Sequence, residues 1–89
     1  MYAIVTVVGK NDVGILSFVS TLLAEQNISV TDIRQTIMRE YFTMVMLVDA
    51  EKAALPFDQL VSHIESRGAE RNLSIHVQRE DIFTAMHRI

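Results

Sequence analysis

The sequence predicts an α+β fold, a four-stranded antiparallel sheet carrying two helices on one face. Three observations predict it. Four segments are rich in β-branched residues, two others show one-sided helical spacing, and turn residues separate them. Their order is strand, helix, strand, strand, helix, strand, followed by a helical tail. Each strand–helix–strand half needs a crossover, and such crossovers are right-handed.

The first strand is expected over residues 2–8, "YAIVTVV". Tyr2, Ile4, Thr6 and Val8 share one face, while Ala3, Val5 and Val7 share the other. Both rows are mostly apolar, which suits a strand in the middle of a sheet. A helix follows over 15–25, where Ile15, Val19, Leu22, Leu23 and Gln26 keep helical spacing. Ser17, Thr21 and Glu25 fall on its other side, and Asn27 is the expected stop.

The second strand spans 28–38, but its alternation slips. Ile28 and Val30 have one parity and Ile33, Gln35 and Ile37 the other. A bulge near Thr31 and Asp32 reconciles them and places this strand at a sheet edge. "MREY" at 38–41 turns the chain into a third strand over 41–50. Phe42, Met44, Met46 and Val48 form one row there, and Tyr41, Thr43, Val45 and Leu47 the other. Both rows are again largely apolar, so this is the second central strand.

Pro56 suits the first turn of the second helix. Phe57, Leu60, Val61 and Ile64 form its apolar stripe; Asp58, Gln59, Ser62, His63, Glu65 and Ser66 are expected in solvent. Gly68 weakens or ends this helix, with a boundary no later than Asn72. Residues 73–79 alternate cleanly, Leu73, Ile75 and Val77 inward, as an edge strand does. A short terminal helix is expected over 81–89, capped by Asp81 and packed through Ile82, Phe83 and Met86. Apolar central strands and half-wet edges give the sheet order 4-1-3-2.

The 89 residues suit one domain, and 49% of them are hydrophobic. Helices cover one face of such a sheet, and the periodicity leaves open which row they cover. The apolar surplus on the other face predicts a second copy as partner, hence a homodimer. The net charge of −3 and the lack of a polybasic cluster exclude direct nucleic-acid binding. No stretch has the length of a membrane span, and no leader pattern opens the chain, so a cytoplasmic location is expected. With no cysteine, thiolate chemistry is excluded.

The candidate site is the segment "GKNDVGI", Gly9, Lys10, Asn11, Asp12, Val13, Gly14 and Ile15. Read structurally, Gly9 ends the strand with positive φ, Asn11 or Asp12 caps the helix, and Gly14 permits close backbone approach. Read functionally, a strand end feeding a helix start offers unpaired N–H groups to a carboxylate, with Asn11 and Asp12 beside them for an amine. Small amphoteric molecules such as amino acids fit this chemistry. The segment is neither G-x-G-x-x-G nor a P-loop.

"VVGKNDVGILSFVSTLLAEQNISVTDIRQTI" resembles the opening of an ACT domain, a small regulatory module of ferredoxin-like βαββαβ fold. Continued through "YFTMVMLVD" and "IFTAMHRI", the likeness narrows to small free-standing ACT proteins of the UPF0237 type and makes residues 1–89 one ACT-like domain. The chain also resembles the ACT halves of a glycine-cleavage repressor. The resemblance implies an effector module, often dimeric, that binds an amino acid where the first strand–helix turn meets a partner subunit. Ser29, Val30 and Thr31 match the family's partner side of that pocket. Asn11 stands where the family often has an acidic residue, and Asp12 where it usually has a basic one.

No enzyme and no cofactor are expected. His63, His76 and His87 form no metal-ligand spacing, Asp32 and Asp49 no acid–base pair, and Ser17 and Ser20 have no histidine base at a meaningful spacing. Met44 and Met46 are expected as core or dimer packing. The alternative to an effector module is a ligand-independent structural or interaction domain that recruits an unidentified protein through the apolar sheet face.

Overall fold

The computed structural model describes residues 1–10 and 12–81. Its elements are β1 (Tyr2–Lys10), α1 (Ile15–Glu25), β2 (Ser29–Met38), β3 (Tyr41–Asp49), α2 (Phe57–Glu70) and β4 (Ser74–Arg79). The sheet order is β2-β3-β1-β4, with every neighbouring pair antiparallel. This is the ferredoxin-like sandwich expected from the sequence. The terminal helix expected through Ile82, Phe83 and Met86 lies outside the described residues; Asp81 accepts a hydrogen bond from Arg79 Nη2 at 3.0 Å.

The structure decides which rows meet the helices. Val5 opposes Met46 on one side and Val77 on the other, and Val7 opposes Met44 and Ile75. These six side chains are buried with Val19, Leu22 and Leu23 of α1 and Leu60 and Ile64 of α2. Each such large aliphatic side chain contributes about 1.5–3 kcal/mol when fully buried. The other rows, Ile4 and Thr6 with Thr43, Val45 and Leu47, lie on the face of the sheet opposite α1 and α2, with Ile4 buried and the others half-buried.

The register of β2 shifts between Val30 and Asp32, leaving Thr31 unopposed. That is the bulge implied by the parity slip. It keeps Val30 opposite Val48 and Ile33 opposite Met46, on the helix side of the sheet. The helices nevertheless stop short of β2, and all ten of its residues are exposed.

Several local expectations are corrected. β1 runs through Gly9 to Lys10, and Gly9 does not have positive φ. It is glycine because a Cβ there would meet Leu73 Cδ2 at 2.5 Å. Pro56 is the cap of α2 rather than part of its first turn, and its carbonyl accepts from Leu60 N at 2.8 Å. The helix continues through Gly68, where a Cβ would meet Ile75 Cδ1 at 2.5 Å. Glu65 is not a free solvent group: its Oε2 accepts from the Val77 amide at 3.1 Å and lies 3.5 Å from His76 Nδ1.

Candidate functional site

The sheet register brings two turns together. Val8 near the end of β1 opposes Ser74 at the start of β4. The β1–α1 turn therefore stands beside the α2–β4 turn. In the latter, Arg71 N and Leu73 N both donate to Gly68 O at 2.9 Å, and Asn72 sits at φ 59. That left-handed residue reverses the chain and delivers Leu73 against Gly9.

Between the turns opens a cleft of about 410 Å³, lined by Lys10, Asp12, Ile15, Arg71, Asn72 and Leu73. Ile15 and Leu73 are buried and supply its apolar wall. Lys10 and Arg71 supply two positive charges and Asp12 one negative, a local excess of one positive charge. Asp12 Oδ1 accepts from Val13 N at 2.7 Å, which holds the turn. The Arg71 guanidinium lies over the Phe18 ring, its carbon 4.7 Å from the ring centroid. Among the described residues neither Lys10 nor Arg71 is in an ion pair.

The start of α1 adds backbone donors. Its cap is Gly14, at φ 88, with no side-chain cap bond and no acidic residue in the first turn. Phe18 N donates to Gly14 O at 2.8 Å, and the first-turn amides ahead of it have no partner within the helix. Partial positive charge at a helix start favours an anion.

The ACT-domain family pattern matches residues 1–78. The chain belongs to the ACT-domain family. This ACT chain is 46% identical to a UPF0237 protein of Listeria innocua over 89 residues, covering 100% of both, which makes it a UPF0237 protein. It superimposes on an ACT domain protein from Streptococcus pneumoniae with a TM-score of 0.82, 40% identity and 93% of each chain covered. A putative glycine cleavage system transcriptional repressor shares the fold at 20% identity and a TM-score of 0.67, with 86% of this chain matched to 44% of that one. ACT domains are non-catalytic regulatory modules.

In the ACT chain the residues singled out from the sequence divide into three groups. Lys10, Asp12 and Ile15 line the cleft, with Gly9 behind it in β1. Val13 and Gly14 do not line it: Val13 is 92% exposed, and Gly14 borders a groove of about 330 Å³ between the helices with Phe18, Arg67 and Arg71. Asn11 lies outside the described residues. Asp12 does not cap the helix as expected: its Oδ1 takes the Val13 amide, and the cap position is Gly14. Its glycine is explained by φ 88, since nothing lies within 4 Å of a Cβ there and no close approach is involved.

Ser29, Val30 and Thr31 are elsewhere. Ser29 opposes Asp49, which opposes Tyr2, so they lie at the far end of the sheet from Lys10. Seven residue steps along the strand carry Tyr2 to Gly9, about 23 Å. One copy does not bring the two segments together. The residues that sequence reasoning missed are Arg71, Asn72 and Leu73. The sheet order alone carried the signal, because a β4 antiparallel to β1 must begin where β1 ends.

Proposed function

We propose that this ACT chain is an effector module that binds a small amino acid at the β1–α1 turn and acts as a homodimer. The observation that carries the reading is the cleft beside that turn. Its two cations suit a carboxylate, Asp12 suits an ammonium group, and its volume lies within the usual range for small-molecule sites. The homodimer is supported by β2, whose helix-side row is uncovered: Val30 is 44% exposed, Ile33 38% and Ile37 59%. A second copy pairing with this edge supplies Ser29, Val30 and Thr31 to the neighbouring turn. An effector that prefers one subunit arrangement then shifts the population toward it.

Calorimetric titration with each standard amino acid, together with light scattering, tests the proposal. Heat from at least one amino acid and a two-copy mass are expected; silence from all of them at millimolar concentration overturns the effector reading. The second reading, a ligand-independent interaction domain, draws on the sheet face opposite the helices, where Tyr2, Val8 and Tyr41 are exposed. An oligomer indifferent to every amino acid, with one stoichiometric foreign protein, favours it.

A further inference from the structure

We infer that Arg71, at the corner between α2 and β4, is the residue that fixes the carboxylate of the ligand, with Lys10 as its companion and Phe18 as the support that positions it. The inference rests on the effector reading above and names the anion subsite within it. Both cations belong to one copy, so this half of the site is complete before any partner is added.

The geometry is specific. Arg71 follows directly on the last residue of α2, and its backbone is tied by the bond from its amide to Gly68 O at 2.9 Å. Its guanidinium lies over the Phe18 ring at 4.7 Å. The attraction of a guanidinium to a ring face uses its charge and not its N–H donors. The ring therefore supports the group while leaving its five donors available to a ligand. Among the described residues no carboxylate pairs with it.

Arg71 lines both the cleft and the groove between the helices, whereas Lys10 lines only the cleft. An anion that meets both cations must therefore sit in the cleft, against Ile15 and Leu73. Arginine binds a carboxylate through two parallel N–H···O bonds, and lysine adds a point charge. Asp12 on the same rim repels a dianion and attracts an ammonium group. The class selected is thus a monocarboxylate carrying a nearby amine, rather than a phosphate.

The test titrates the intact protein and its Arg71→Gln, Lys10→Gln, Phe18→Leu and Phe18→Tyr variants with the amino acid that gives the largest heat. Inorganic phosphate and the amine lacking the carboxylate are the two ligand controls, and amide NMR spectra confirm the fold of each variant. Arg71→Gln is expected to weaken binding about tenfold or more, and Lys10→Gln severalfold. Phe18→Leu weakens it with Arg71 still present, and Phe18→Tyr restores it because the ring is retained. Neither control ligand competes. Unchanged affinity in Arg71→Gln, or equal binding of the amine, overturns this inference while the effector reading stands. Phosphate binding more tightly than the amino acid overturns the carboxylate assignment. Silence of the unsubstituted protein toward all amino acids removes the effector reading, and this inference with it.

Discussion

Gly9 and Leu73 interlock: a single methyl added at Gly9 would come within 2.5 Å of Leu73 Cδ2. The contact joins the end of β1 to the start of β4, and it forms one wall of the cleft. Gly9→Ala forces the buried Leu73 side chain aside, at a cost of about 1–3 kcal/mol. Urea unfolding checks this. Combining Gly9→Ala with Leu73→Ala should cost less than the sum of the single changes, since the second removes the obstacle to the first.

Glu65 holds the outer side of β4. Its carboxylate takes the Val77 amide, which as part of an edge strand has no neighbouring strand beyond it. Glu65→Ala leaves that N–H without its partner and should cost about 1–2 kcal/mol. The Val77 amide should then exchange with solvent faster than in the unsubstituted protein, and Glu65→Gln, which keeps an acceptor oxygen, should recover part of the loss.

Thr31 is the extra residue of the bulge in β2. Deleting it joins Val30 to Asp32 without moving either across the sheet, because Val48 and Leu47 opposite them are already consecutive. The deletion should be tolerated within about 1 kcal/mol, as changes away from packed sites are. Ile28 should stay buried, which slow exchange at its amide would report. Extensive unfolding of the deletion variant would show that the twist supplied by the bulge is essential.

Ile37 stands on the helix side of β2 and is mostly exposed. Ile37→Lys should change the stability of one copy by no more than about 0.5 kcal/mol. Under the homodimer proposal it replaces an apolar contact with a desolvated charge at the seam, and light scattering should then show the mass falling toward a single copy. An unchanged two-copy mass would place the interface elsewhere.

Most of the fold was legible in the sequence because the pattern of each strand reports its neighbours. Two apolar rows marked β1 and β3 as central, one apolar row marked β4 as an edge, and the parity slip at Thr31 located the bulge. What the periodicity left undecided was which row of β1 faces the helices, since both rows are apolar. The register settles it: Ile75 and Val77, the inward residues of β4, oppose Val7 and Val5. Gly9 was misread because glycine after an apolar run signals a turn as readily as a close contact. The half of the cleft formed by Arg71, Asn72 and Leu73 was missed because those residues lie some sixty positions from the β1–α1 turn and carry no motif.

β1 and β2 run in the same direction, each antiparallel to the β3 strand between them. The turn that leaves β1 and the residues that enter β2 therefore point to opposite poles of the molecule. A ligand held by both has to be shared between two copies, and two-fold symmetry then supplies a second, equivalent position. Occupancy would depend on how much protein is present as well as on how much ligand, and dilution alone would release the ligand. By reciprocity, each bound molecule would tighten the pairing by the same factor that pairing tightens its own binding.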